Sequence, residues 1–189
     1  EARQPILLNL GYVLDEKMGA YDEAIIRYQE VLELDPDHVQ ALSALETLYA
    51  RNGNWFELLS TLDRKVSLLT DQRDRTAVIR KRALILEEQV EDLLGAIDCY
   101  RQLLEEDETD ADALGALRRL YTSTEQFSDL HEIIEHQVAL LDPDESPEAM
   151  ASALLEMAVI ELDALGQVEQ GVGHLEEVLA LEPENSTAK

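Results

Sequence analysis

The stretch Ala41-Leu42-Ser43-Ala44-Leu45-Glu46-Thr47-Leu48-Tyr49 returns 72 residues later as Ala113-Leu114-Gly115-Ala116-Leu117-Arg118-Arg119-Leu120-Tyr121, with six of nine positions identical and no gap. In both copies the apolar residues fall three and four positions apart, the spacing that gathers them on one face of an α-helix. The same offset carries Trp55, Leu58, Leu62 and Val66 onto Phe127, Leu130, Ile134 and Val138. It also carries Ala24, Ile25 and Tyr28 onto Ala96, Ile97 and Tyr100. A third copy lies 75 residues further on, where Gly171, Leu175 and Val178 follow Ala96, Tyr100 and Leu103.

Turn signals divide these blocks. Met18-Gly19-Ala20, Asp35-Pro36-Asp37, Asn52-Gly53-Asn54, Leu69-Thr70-Asp71 and Glu91-Asp92 break the first half; Glu106 to Asp110, Thr124-Glu125, Asp142 to Pro147, Leu165-Gly166 and Glu182-Pro183 break the second. Gly, Pro, Asn and Asp interrupt helical periodicity because they favour turn geometries or lack the donor a helix needs. Ten helices separated by short turns result. Eight Gly, five Pro and 5% aromatics in 189 residues are a poor mixture for strands, and 46% apolar residues suffice for a continuous core. An all-α class follows.

Forty-one acidic against 15 basic residues give a formal charge of -26. A surface of that sign repels phosphate backbones and anionic lipid heads, so neither nucleic acid nor membrane is expected as a partner. The single Cys99 cannot form an internal disulfide, and no apolar run reaches the 18 residues of a membrane span. A cytoplasmic setting is the default expectation. The chain opens Glu1-Ala2-Arg3, and Glu184-Asn185-Ser186-Thr187 reads as the entry to another helix, so a piece of a longer array is expected.

Half-blocks of about 36 residues match the length and pattern of the tetratricopeptide repeat. Leu7, Leu10-Gly11, Ala24, Tyr28 and Pro36 stand where that family places its large residue, Leu-Gly pair, Ala, aromatic and Pro; Leu45, Tyr49, Gly53, Trp55 and Leu62 do so in the next unit. The chain resembles the family from end to end. The resemblance implies a single right-handed superhelical solenoid over 1–189, built from five antiparallel helical hairpins at 4–36, 37–71, 72–108, 109–144 and 147–183. Three features depart from the pattern. Odd units carry one extra residue before their second helix, Leu58 and Leu130 replace a preferred Ala, and Arg82 stands where an apolar residue belongs, which implies a rotated helix or a shifted register there.

Chemistry-bearing motifs are weak. His131 and His136 are five residues apart and diverge by about 140° around a helix, unlike the four-residue pair of zinc-protease helices, so no metal site is expected. His131 and Glu135 share a face and read as surface polar residues. Asp107, Asp110 and Asp112 lack the spacing and the Gly of a calcium loop and read as an acidic turn with a helix N-cap. Cys99 beside Tyr100 reads as a buried thiol. With no phosphate loop or nucleophile elbow, neither catalytic residues nor cofactors are expected.

In the resembling family the first helix of each hairpin lines a concave groove that holds peptides and partner proteins. Carried over by position, the groove floor is Asn9, Tyr12, Ser43, Ala44, Thr47, Arg51, Arg80, Lys81, Leu84, Gly115, Ala116 and Arg119. Of these, Asn9, Tyr12, Arg51, Arg80, Lys81 and Arg119 are the candidate partner-binding residues. Seven basic residues (Arg64, Lys65, Arg73, Arg75, Arg80, Lys81 and Arg82) fall within 19 positions. They either hold an acidic or C-terminal carboxylate ligand or pair with acidic neighbouring helices. Ala44, Pro5 and Ala77 replace the Asn and basic residues of the family's chaperone-tail clamps, so that variant is not expected.

The leading expectation is a protein-protein or protein-peptide scaffold or adaptor, not an enzyme. A regulatory or substrate-recruiting segment of a larger enzyme and an array self-associating through uncapped ends are the alternatives.

Overall fold

A computed structural model describes residues 3–188. Among them ten α-helices alternate with short turns and no strand occurs: α1 (Arg3–Val13), α2 (Tyr21–Leu34), α3 (Val39–Asn52), α4 (Trp55–Leu68), α5 (Gln72–Ile85), α6 (Leu93–Glu106), α7 (Ala111–Ser123), α8 (Phe127–Ala139), α9 (Pro147–Ile160) and α10 (Val168–Leu181). The chain forms two compact units, 1–99 and 100–189, whose boundary falls inside α6.

Helix starts follow local chemistry. The Asp71 carboxylate accepts the N–H groups of Arg73 and Asp74 at the head of α5, Asp92 accepts that of Gly95, and Asp110 accepts that of Ala113 at the head of α7. Each satisfies a donor that the first helical turn leaves without an intrahelical acceptor. The acidic turn before α7 is therefore capping chemistry, with Asp107 also accepting the amide and hydroxyl of Thr109.

The extra residue of the odd units takes a definite form. The first helices of units one, three and five each end in a π-helical turn, at Leu14–Met18, Leu86–Val90 and Glu161–Leu165. Their closing bonds run from Ala20 to Leu14, Asp92 to Leu86 and Gln167 to Glu161, six residues apart. In the even units the corresponding bonds, Asn54 to Tyr49 and Gln126 to Tyr121, span five. One residue is thus absorbed as a widened turn. All five helices then leave through a left-handed residue, which is Gly at 19, 53 and 166 but Glu91 and Glu125 elsewhere.

In the first unit α1 packs on α2, α2 on α3, α3 on α4 and α4 on α5. Leu7, Leu14, Ala24, Tyr28, Val31, Leu45, Leu48, Tyr49, Leu58 and Leu62 form its buried core, with Trp55 and Leu59 against it. Small and large residues interlock: a Cβ on Gly11 would stand 2.8 Å from the Tyr28 ring. Arg82 needs neither rotation nor register shift, because Ile79 and Ala83 beside it are buried while its guanidinium reaches Asp63 on α4 at 2.7 Å.

In the second unit α7 packs on α8, α8 on α9 and α9 on α10. Met150, Ala151, Leu154, Val178 and Ala188 form one core cluster, closed by Val138, Leu141, Leu175 and Leu181. After α10, Asn185 accepts the amides of Thr187 and Ala188.

Candidate functional site

In the unit 1–99, residues three or four apart on α1 and on α3 share one inner wall. Leu8, Asn9 and Tyr12 of α1, Tyr28 of α2, and Gln40 and Ala44 of α3 line a cleft of about 320 Å³. Ala44 supplies the small side chain that leaves room between the helices. Tyr12 is 52% exposed, an aromatic residue that the core does not account for. Burial first, then the carboxylates of Asp15 and Glu16, push the Tyr28 phenol above its ordinary range, so it stays neutral.

The basic candidates occupy different surroundings. Arg51 lies 3.6 Å from Asp15 and sets its guanidinium over the Tyr21 ring at 4.6 Å. Lys81 of α5 pairs with Glu46 of α3 at 2.6 Å, and Lys65 of α4 reaches the other oxygen of the same carboxylate at 2.5 Å. Burial alone would raise the Glu46 carboxyl, but its hydrogen bonds to the two lysines and their charges outweigh this and hold it below the usual range. Arg64 pairs with Asp37 at 3.3 Å. Arg80 is half-buried on α5 and is engaged in an interaction of its own. Arg119 is exposed on α7 in the second unit and is also engaged, while Ala116, expected on an open floor, is buried there. Much of the basic island is thereby knitted into ion pairs between neighbouring helices.

One polar cluster was not anticipated. Glu161, only 1% exposed, sits in the π-turn after α9 with Oε1 2.7 Å from Nε2 of His131 on α8 and Oε2 2.8 Å from Nδ1 of His174 on α10. His131 therefore faces inward to Glu161 instead of forming a surface pair with Glu135. The repeat offsets carry a signal for it: Leu14, Leu86 and Glu161 are equivalent positions, and all three are buried. A carboxylate at a repeat position otherwise filled by Leu requires partners from the flanking helices. No group of three or more His, Cys, Asp or Glu suited to a metal ion occurs among the described residues. Burial pushes the Cys99 thiol up, away from nucleophile behaviour, with Arg82 opposing.

No helix among the described residues is long and apolar enough to cross a membrane. Residues 4–38 and 41–76 each match a sequence model described as tetratricopeptide repeat. Over 122 residues, 61% of its length, the chain is 30% identical to Tetratricopeptide repeat protein 14 of Mus musculus, and it spans 16% of that relative. A solved structure of Naa15/Naa10 bound to HypK-THB superposes with a TM-score of 0.66 at 19% identity, covering 94% of this chain and 26% of that one. The MamA protein superposes with a TM-score of 0.49 at 21% identity, with 97% of this chain and 94% of that one covered.

Proposed function

We propose that the chain, which carries tetratricopeptide-repeat matches at residues 4–38 and 41–76, is an interaction scaffold that holds a peptide or protein segment against the wall shared by α1 and α3. The single observation that carries this reading is the cleft between α1 and α3. There an exposed Tyr12 and an exposed Asn9 flank a gap opened by Ala44. Tyr12 supplies a flat apolar surface at low entropic cost, and Asn9 offers both a donor and an acceptor to a bound backbone.

The basic candidates play a secondary part. Arg51 is in contact with Asp15 and Tyr21, and Lys81 is paired with Glu46. An acidic segment would have to compete with Asp15 or Glu46 for them, so charge steers approach while Asn9 and Tyr12 supply the grip. Arg80 belongs to the proposal as a steering charge on α5, while Arg119 lies on α7 in the other compact unit. The solved complex bound to HypK-THB supports a protein or peptide partner, and the reading assigns the chain binding with no chemistry of its own.

The test is selection of peptides from a display library on the intact chain, followed by nuclear magnetic resonance mapping of the selected sequences. Shifts centred on Asn9, Tyr12, Gln40 and Ala44, and about tenfold weaker binding in the Asn9→Ala/Tyr12→Ala double variant, are expected. Selected peptides whose affinity is unchanged by that double variant would remove the inner face from consideration.

A further inference from the structure

The opposite side of the first unit carries a second opening. The second helices α2 and α4 both pack on α3, and between them lies a cleft of about 520 Å³. Its floor is apolar, formed by Leu32 of α2 with Leu42 and Leu45 of α3. Phe56 stands on its rim at 74% exposure, the most exposed of the large apolar side chains among the described residues. A lone exposed Leu needs no explanation, but an exposed aromatic beside a concave apolar floor is the composition of a binding anchor.

The charges at this cleft are specific. Glu33 on the α2 wall and Glu57 on the α4 wall have no hydrogen-bond or ion-pair partner for their carboxylates among the described residues. Among the described residues the only cation lining the cleft, Arg64, is already paired with Asp37. An apolar floor between two uncompensated carboxylates, in a chain of net charge -26, selects against acidic and neutral segments and for basic ones.

We propose that the α2–α4 cleft is a second docking site, distinct from the inner face, for an amphipathic segment that inserts an apolar side chain beside Phe56 and places Lys or Arg against Glu33 and Glu57. The two faces then have opposite preferences: the outer cleft takes basic-flanked apolar segments, and the inner face meets its guest with Asn9, Tyr12 and cations. One chain would bridge two different partners.

The experiment uses the intact chain and a synthetic amphipathic peptide with leucines at i and i+4 and lysines on both flanks, alongside a copy with the lysines changed to glutamates. Amide shifts are followed by nuclear magnetic resonance in the parent, in Phe56→Ser and in Glu33→Lys/Glu57→Lys. The three substituted side chains are exposed, so each variant is expected to keep the parent's helical spectrum, which is checked first. Expected are shifts of α2 and α4 amides around Phe56 and Ser60 with the lysine peptide, about tenfold weaker binding in Phe56→Ser, and reversal of peptide preference in the double charge variant. Equal binding of both peptides, no shift on α2 and α4, or shifts confined to Asn9, Tyr12 and Gln40 would each overturn the proposal. The last of these would leave the inner-face reading standing, so the two fail separately.

Discussion

Adding one methyl group at Gly11 and the same group at Gly115 should have opposite effects. Both glycines lie inside helices, so each Gly→Ala change removes the same backbone penalty, about 1 kcal/mol. At Gly115 the new Cβ meets nothing within 4 Å, and the gain stands alone. At Gly11 it would sit 2.8 and 2.9 Å from two atoms of the Tyr28 ring, which is itself buried in the core of the first unit. Overpacking of that kind costs about 1–3 kcal/mol. Gly115→Ala should therefore stabilise by roughly 1 kcal/mol, and Gly11→Ala should lie about 1–3 kcal/mol below it because the propensity term cancels in the difference. Native-state hydrogen exchange reads each locally, through amides of α2 for the first and α8 for the second. If both variants gain protection to the same degree, the interlocking of Gly11 with Tyr28 is not what holds α1 against α2.

Three further outcomes follow from buried charge and backbone geometry. Glu161→Ala should lose about 3 kcal/mol in urea unfolding, since two buried hydrogen bonds vanish and a cavity opens, whereas Glu161→Leu should cost far less because it restores the residue found at Leu14 and Leu86. Equal losses would mean that the histidines, not the cavity, dominate. Glu46→Gln should cost about 1–2 kcal/mol at neutral pH. The carboxyl is depressed in the folded chain, so its contribution exists above the ordinary carboxylate range and disappears as pH falls through the lower folded value; parent and variant should converge in acid, and a constant gap would refute this. Glu91→Gly and Glu125→Gly should each stabilise by about 0.5–1 kcal/mol in thermal unfolding, because both residues sit at positive φ, where a Cβ is strained. A lower melting temperature would show that these side chains offset the strain.

Much of this architecture could be read from the sequence, and for an identifiable reason. Helix period, turn residues and small-large pairs such as Gly11 with Tyr28 are local or recur at one offset, so repetition multiplies a weak signal. The extra residue of the odd units was countable, but its form was not. A π-turn and a longer loop have the same length, and only the six-residue closures at Leu14, Leu86 and Glu161 distinguish them. The fate of the basic island was equally hidden. Lys65 and Lys81 find Glu46 from 19 and 35 residues away, across helix-helix contacts that i,i+4 reasoning does not reach. Glu161 is invisible to a search for apolar matches between repeats. The informative signal was the mismatch, a charge in a column of leucines. Asn9 and Tyr12 line one cleft, while Arg51 and Lys81 are engaged by Asp15 and Glu46.

The widened turns bear on how such a chain tolerates change in length. An added residue in the middle of a helix would swing every later side chain by about 100° and turn the next core residues toward water. Lodged in the last turn and followed at once by a left-handed residue, the surplus is spent before the partner helix begins, so Ala24, Ala96 and Gly171 still arrive in register as if nothing had been inserted. Each hairpin behaves as an error-correcting link: copying slips confined to that corner stay silent, and the same slip a few residues earlier would not.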